Sequence, residues 1–296
     1  MRKLFLIPAL MIAITCIIAG QEASDTARLK QFIYQYGQAV VSVEYPGFSK
    51  ASAIGRDFPI DRYKEGRLYL VINHTTIDKF LAAGITFTVN EPEEGKGVRG
   101  SENLNKALEW QSYPSYTQYD SIMRKFAADY PGLCRLDTIG TSVLGKLVLV
   151  LKISDNVHID EYDEPEVFYT STMHGDELAG FVLMLRLADY LLSNYATDTQ
   201  VQHLVNNLQI FINPLSNPDG TYRTGNTIVN PIRANANGRD LNRNFPDPLE
   251  PGTVQEKENV DMIAFMRSRR FILSANFHSG AEVLNYPWDR WTRFHP

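Results

Sequence analysis

Hydrophobic and polar residues alternate with two different periods over residues 24–90, which predicts a small α+β domain. Leu68, Leu70 and Ile72 fall on one side of an extended chain, as they do in a half-buried strand. An apolar stripe at helical spacing follows and stops at Gly84, a residue type that commonly terminates helices. The predicted elements are a helix that runs into a strand over residues 27–41, a strand over 66–72, a helix over 75–83 and a strand over 85–89.

Beyond Tyr113, apolar runs rich in β-branched residues alternate with helical segments. This pattern favours an α/β fold with a mixed, mainly parallel sheet and helices on both faces. Residues 177–195 are apolar almost all round, so we expect them to form a buried helix. The other elements predicted here are strands over residues 147–153, 167–172, 208–212 and 271–277 and a helix over 254–269.

Between these two patterns, residues 91–112 are polar and rich in Glu, Gly, Lys, Asn and Ser, as is typical of an exposed linker. We therefore predict a small α+β domain over residues 24–90, a linker over 91–112 and a larger α/β domain over 113–296.

The amino terminus has the charge and hydrophobicity pattern of a secretory signal. Arg2 and Lys3 precede an apolar run from Leu4 to Ala19, which is shorter than the roughly 20 residues that a membrane span needs. We expect residues 1–20 to be a cleaved signal peptide and the product to be secreted or periplasmic, with no stable membrane insertion after cleavage. The alternatives are an uncleaved amino-terminal anchor and a lipid attached to Cys16.

Charge and cysteine content narrow the function classes. The formal net charge is −5. The chain therefore lacks the excess of positive charge that attracts nucleic acid or anionic lipid, and a function in binding either is not expected. Cys16 and Cys134 are the two cysteines, and Cys16 lies in the segment that we expect to be removed. Disulfides are therefore not expected to hold the fold.

Two predicted strands are each followed closely by a histidine, His174 after the strand over residues 167–172 and His278 after the strand over residues 271–277. Open α/β sheets bind ligands at the carboxyl ends of their strands, so both side chains are expected at one edge of the sheet. Glu177 follows His174 by three residues, and two histidines with one carboxylate form a donor set that is typical of catalytic zinc. A histidine after a strand also commonly bonds a backbone carbonyl, so spacing alone leaves zinc binding and a structural role about equally open.

Polar loops follow at the same predicted edge. Residues 213–220 contain two prolines and several Asn and Asp residues, which predicts a rigid loop able to orient the histidines. In the loop over residues 233–247, arginine beside asparagine can grip a carboxylate through the planar donors of the guanidinium group. The alternative is a structural arginine tied to Asp240 or Asp247.

Four ordered motifs resemble the signatures of the M14 family of zinc metallocarboxypeptidases. They are His174-Gly175-Asp176-Glu177, the loop from Asn213-Pro214 to Asp219-Gly220, Asp240-Leu241-Asn242-Arg243-Asn244-Phe245-Pro246, and His278-Ser279-Gly280 with Asn285-Tyr286-Pro287. The third motif is most similar to the branch that contains carboxypeptidases N, E, M and D. The resemblance covers about residues 113–296, and residues 24–90 resemble, more weakly, the pro-regions found in bacterial members.

The resemblance implies a zinc carboxypeptidase fold and a role for each motif residue. His174, Glu177 and His278 would bind one Zn²⁺ ion. Asn242 and Arg243 would bind the carboxylate at the C-terminus of a peptide or protein substrate. Arg233 would polarise the scissile carbonyl. The chain is thus expected to be a metalloprotease that hydrolyses C-terminal peptide bonds.

In this family the general-base Glu and the substrate-capping Tyr come after the third zinc ligand, close to the end of the domain. We therefore expect the present chain, which ends at Pro296, to be a C-terminally truncated form that lacks both residues. Two other functions remain open at this point. One is a catalytically inactive peptide-binding module on the same fold, and the other is a zinc amidase that acts on cell-wall peptides.

Overall fold

The computed structural model describes residues 25–91, 98–248, 251–280 and 283–286. It divides into two compact units, an amino-terminal unit over the described residues 25–91 and a carboxyl-terminal unit over 98–280. The predicted signal segment lies outside the described residues. No helix in the described ranges combines the length and the apolar character that a membrane span requires.

The amino-terminal unit is a four-stranded antiparallel sheet covered by helices. Its elements are helix α1 over residues 25–36, β1 (Gln38–Glu44), α2 (Phe48–Asp57), β2 (Ile60–Lys64), β3 (Arg67–Asn73), α3 (Ile77–Ala82) and β4 (Thr88–Val89). The strand order is β2-β3-β1-β4. Leu68, Leu70 and Ile72 of β3 are buried in its core together with Phe80 of α3, which confirms the predicted strand and helix. Helix α2 and strand β2 were not predicted.

The carboxyl-terminal unit begins with two helices and then forms the main sheet. Its elements are α4 (Leu104–Ala107), α5 (Tyr116–Asp129), β5 (Cys134–Thr141), β6 (Leu147–Ile153), β7 (Glu166–Ser171), α6 (Ala179–Asn194), α7 (Thr199–Val205), β8 (Gln209–Asn213), α8 (Pro218–Thr221), a 3₁₀ turn (Leu241–Arg243), α9 (Lys257–Ser268) and β9 (Phe271–Phe277). Helix α4 falls within the predicted linker, and its Ala107 is fully buried in the core of this unit.

The main sheet is mixed, with the strand order β5-β6-β8-β7-β9. Strands β5, β6 and β8 pair antiparallel, whereas β8, β7 and β9 pair parallel. Successive residues of β6 have their side chains on opposite faces of the sheet, and each face has its own hydrophobic core. Leu149 and Leu151 pack with residues of α5 and α6, and Val150 packs with Met262 of α9. Helices therefore cover both faces, as the α/β pattern predicts.

Helix α6 differs from its predicted burial. Phe181 and Leu185 are fully buried, but Leu183 is 52% exposed and Tyr190 is 49% exposed. The helix packs on the sheet with one face and presents the other to solvent. Apolar residues on the outer face of a helix are common in folded proteins, so composition alone does not distinguish the two faces.

Candidate metal centre

The parallel half of the sheet brings the two predicted histidines to one edge. Strands β7 and β9 are neighbours, and Ser171 at the end of β7 pairs with Phe277 at the end of β9. His278 follows β9 directly, and His174 follows β7 after two residues. Because parallel neighbours end at the same edge, a separation of more than one hundred positions along the chain becomes a direct contact.

Three side chains converge at this edge. The Nδ1 atom of His174 lies 2.7 Å from Oε1 of Glu177, and the Nδ1 atom of His278 lies 2.9 Å from Oε2 of the same carboxylate. The two Nδ1 atoms are 3.1 Å apart. One ligand atom from each of the three residues lies within 4.8 Å of the others, close enough to share a cation. Two imidazole nitrogens and one carboxylate oxygen are donors that suit zinc, so this group of residues fits that ion.

Asp240 completes the surroundings of His174 and has a role that the sequence analysis did not assign. Its Oδ1 atom lies 3.1 Å from Nε2 of His174, and its Oδ2 atom accepts a 2.9 Å hydrogen bond from Nε of Arg233. A carboxylate on one imidazole nitrogen fixes the ring orientation and leaves the other nitrogen for a metal. The sequence analysis names Asp240 as the first residue of the third motif and as one of two possible partners of a structural arginine. The structure pairs it with Arg233 and with His174.

The charges of the site depend on one another. Burial by itself would raise the pKa of the Glu177 carboxyl, but hydrogen bonds from His174 and His278 hold that pKa well below its usual value. Burial likewise opposes ionisation of Asp240, and its hydrogen bond with His174 and the charge of Arg233 lower its pKa instead. The pKa of His174 is raised because its bonds to the two carboxylates outweigh its burial. Protons therefore compete with a metal ion for His174, and metal affinity should fall as the pH is lowered.

Arg233 lies inside the site. Its side chain is 10% exposed, and besides its bond to Asp240 its Nη1 atom lies 3.4 Å from Oε1 of Glu177. A guanidinium group beside a metal-binding carboxylate is placed where negative charge on a substrate oxygen could be stabilised.

Asn242 and Arg243 lie on the 3₁₀ turn that follows Asp240. Asp240 caps this turn by accepting a 2.9 Å hydrogen bond from the backbone N–H of Asn242. The side-chain nitrogen of Asn242 lies 3.4 Å from Nε2 of His278. Arg243 is exposed, and its Nη1 atom donates a 3.0 Å hydrogen bond to the carbonyl of Asn242. The structure thus places the side chain of Asn242 against His278, and Arg243 is the next residue of the same turn.

The loop after β8 supports the backbone around His174, as its composition predicts. Asn217 is fully buried, and its Nδ2 atom donates to the carbonyls of Met173 at 3.2 Å and Arg233 at 3.3 Å. Thr221 donates a 2.8 Å hydrogen bond from its hydroxyl to the carbonyl of Gly175. The loop therefore holds together the two segments that supply His174 and Arg233.

Replacing Gly175 with alanine should destabilise the fold, because a Cβ atom there would lie 2.4 Å from the backbone carbon of Gly220 and 2.5 Å from the nitrogen of Thr221. Backbone atoms cannot turn aside as a flexible side chain can, so we expect a loss of at least about 1–3 kcal/mol in the free energy of unfolding. Urea denaturation followed by circular dichroism measures it. Gly132→Ala is the control, since a Cβ at Gly132 meets nothing within 4 Å. Equal stability of the two variants would contradict the observed packing.

Comparison with known proteins decides the family. Residues 119–295, more than half of the chain, match the M14 peptidase family, which is described as zinc carboxypeptidase. The chain belongs to the zinc carboxypeptidase family. Among its relatives it is 41% identical to human carboxypeptidase D over 177 residues, which cover 59% of this chain and 13% of that protein. It is 38% identical to the catalytic chain of human carboxypeptidase N over 202 residues, covering 58% and 44% of the two chains.

The similarity of the chain to carboxypeptidases D, M and N assigns it to the branch of carboxypeptidases N, E, M and D, as its motifs predict. The chain spans less than half the length of the carboxypeptidase D, M and N relatives named here. Among solved structures, carboxypeptidase A from Helicoverpa armigera superposes with a TM-score of 0.58 at 20% identity, covering 83% of this chain and 70% of that one. Thrombin-activatable fibrinolysis inhibitor superposes with a TM-score of 0.57 at 16% identity, covering 83% and 73%. At such identities the two structures support the carboxypeptidase-like fold.

Proposed function

We propose that the protein is an exported, zinc-dependent metallocarboxypeptidase that removes residues from the C-termini of peptides or proteins. The observation that carries this proposal is the convergence of His174, Glu177 and His278 within 4.8 Å at the carboxyl edge of the sheet. Membership of the zinc carboxypeptidase family supports the reaction class.

In this proposal His174, Glu177 and His278 hold one zinc ion. Zinc, when bound, supplies a Lewis acid that polarises the scissile carbonyl and makes water a stronger nucleophile at neutral pH. Asp240 keeps the Nδ1 atom of His174 directed at Glu177 and His278, because it occupies the opposite ring nitrogen.

The remaining residues act on the substrate. Arg233 stabilises the negative charge that develops on the oxygen of the scissile carbonyl. Asn242 and Arg243 hold the free C-terminal carboxylate, which places the last peptide bond of the substrate beside Arg233 and the metal-binding residues. Cleavage is then limited to one residue at a time, because an internal peptide bond has no adjacent carboxylate to be held.

The test is hydrolysis of one short peptide in two forms, with a free and with an amidated C-terminus. The enzyme is the zinc-loaded protein carrying the general-base Glu that residues 1–296 are expected to lack. We expect stepwise release of terminal residues from the free form and at least about 10-fold slower release from the amidated form, since a lost hydrogen bond to a charged group costs about 1.5–3 kcal/mol. Mass spectrometry of the products measures both. Equal cleavage of the two forms would favour the zinc amidase, and binding of the free form without turnover would favour the peptide-binding module.

Export is the second part of the proposal. Its support is the pair of basic residues Arg2 and Lys3 followed by the apolar run to Ala19. Expression of the whole chain followed by amino-terminal sequencing of the extracytoplasmic product tests it. A product that retains Met1, or that stays in the cytoplasm, would contradict cleavage and export.

A further inference from the structure

The loop from Arg233 to Arg243 supplies four residues of the proposed site, namely Arg233, Asp240, Asn242 and Arg243. Its conformation is stabilised by hydrogen bonds of residues that lie outside that site. Arg233 and Asp240 are seven positions apart in the chain, yet their side chains are joined by a 2.9 Å hydrogen bond. The intervening residues form a tight turn. Its backbone is closed by a 2.9 Å hydrogen bond from the N–H of Asn235 to the carbonyl of Arg239.

Asn235 lies at the centre of this turn and is fully buried. Its Oδ1 atom accepts hydrogen bonds from the backbone N–H groups of Asn237 at 3.1 Å and Arg239 at 3.0 Å. Its Nδ2 atom donates to Glu256 at 3.0 Å and to Glu258 at 3.2 Å. One side chain thus uses both acceptor positions and both donor hydrogens. An alanine here would leave buried polar groups of the turn and of the glutamates without a partner.

Glu258 anchors Asn235 to helix α9. Its side chain is 3% exposed, and it also accepts a 3.1 Å hydrogen bond from the backbone N–H of Val143, in the turn between β5 and β6. Burial raises the pKa of Glu258, which is consistent with a carboxylate enclosed by the protein. The next residue, Asn259, donates a 3.0 Å hydrogen bond to the carbonyl of Leu241. The first turn of α9 therefore holds the loop on both sides of Asp240.

We propose that Asn235 is a positioning residue for the zinc site. By closing the 235–239 turn and fastening it to Glu258, it sets the separation of Arg233 and Asp240. Asp240 in turn orients His174 through the contact at Nε2. Among the hydrogen bonds of the described residues, none joins Asn235 to His174, Glu177 or His278, and the effect that we propose passes through Asp240, whose Oδ1 atom lies 3.1 Å from Nε2 of His174. The inference rests on the proposed zinc function, and it names a residue that the M14 motifs in the sequence did not single out.

The experiment measures the zinc affinity of the full chain by competition with a chromogenic chelator. Four proteins form a double-mutant cycle: the wild type, Asn235→Ala, Asp240→Ala and the double variant. Loss of a residue that orients a metal ligand typically weakens metal binding about 10- to 100-fold, and we expect both single variants to fall in this range. The double variant should bind zinc no more weakly than Asp240→Ala, because the proposed effect of Asn235 on His174 requires Asp240.

A general structural role would give a different result. If Asn235 only stabilised the fold, the losses in zinc affinity would multiply in the double variant, and that outcome overturns the inference. Asn237→Ala is the matched control. Asn237 is exposed and lies in the same turn, and its Nδ2 atom donates a 2.7 Å hydrogen bond to Glu256, which is also a partner of Asn235. The zinc affinity of the Asn237→Ala protein should stay within about 2-fold of the wild type.

A second variant covers failure of Asn235→Ala to fold. Asn235→Asp keeps the size of the side chain and the two bonds accepted from the turn, but faces Glu256 and Glu258 with a carboxylate. It should weaken zinc binding, and the weakening should again disappear in the Asp240→Ala background. Circular dichroism confirms that each protein is folded. Absence of zinc binding in the wild type would overturn the proposed function and this inference together, whereas multiplicative losses overturn the inference alone.

Discussion

Replacing His174 with alanine should remove stoichiometric zinc binding, with a loss of affinity of more than about 100-fold. Changes to residues that only orient a metal ligand cost about 10- to 100-fold, and this variant removes a side chain that we propose binds the ion directly. The variant also removes the imidazole that Asp240 contacts, and it leaves Glu177 and His278 as the two remaining side chains proposed to bind the ion. Elemental analysis after dialysis and chelator competition measure the loss, and peptidase activity should disappear with the metal.

The control for this prediction is His203→Ala. His203 lies on α7 and is exposed, and its backbone carbonyl accepts a 2.8 Å hydrogen bond from Nδ2 of Asn207, just past the end of that helix. This variant should keep one zinc ion and full activity. Full zinc occupancy in the His174→Ala protein would show that the ion binds elsewhere, and the assignment of the ligands would be wrong.

Replacing Arg243 with alanine should impair hydrolysis of peptides with a free C-terminus and leave zinc binding intact. Removal of one charge-assisted hydrogen bond to the substrate carboxylate costs about 1.5–3 kcal/mol, or roughly 10- to 150-fold in kcat/KM. Arg243 is exposed and its side chain bonds only the neighbouring carbonyl of Asn242 among the contacts described, so the fold should not depend on it. Steady-state kinetics on the free and the amidated form of one peptide measure the effect.

The amidated peptide is the internal control, since it has no carboxylate to lose and its slow rate should not change. Arg239→Ala is the matched protein control. Arg239 lies in the same loop, its side chain is 64% exposed, and its Nε atom lies 3.9 Å from Oε1 of Glu256. This variant should keep nearly wild-type kcat/KM. An equal loss on both forms of the peptide in Arg243→Ala would show that Arg243 does not read the terminal carboxylate.

Two strands of the main sheet could be predicted to the residue, whereas the bounds of the other predicted elements differ from the observed ones by one or more residues. Strands Leu147–Ile153 and Phe271–Phe277 have the predicted bounds. The first is an apolar, β-branched run that is buried from Val148 to Ile153, as such runs favour, whereas no residue of the second is buried. Helix α2 and strand β2 were missed. The sequence of α2 mixes Ser, Lys, Gly and Ala with a single Ile, and it is helical because the amino-terminal unit gives its apolar face a sheet to pack on.

Motif residues could be found from the sequence because their chemistry and order resemble a known family. Asp240 belongs to one of those motifs, yet its bond to His174 could not be predicted, since the two residues are 66 positions apart. Asn235 gave no signal of its own. An asparagine in a polar loop is ordinary by composition, and its burial follows from the way α9 packs against the loop.

The sequence by itself determined the division into an α+β and an α/β part, the family and the residue types available for the site. The tertiary structure decided which atoms meet. Strands β7 and β9 pair in parallel and end together, so the imidazoles of His174 and His278 approach to 3.1 Å although 104 positions separate them. Local propensity acts over a few residues, whereas such a contact depends on sheet order and on helices that pack against it. For this reason the candidate metal-binding residues could be recognised along the chain, whereas their convergence within 4.8 Å depends on the folded sheet.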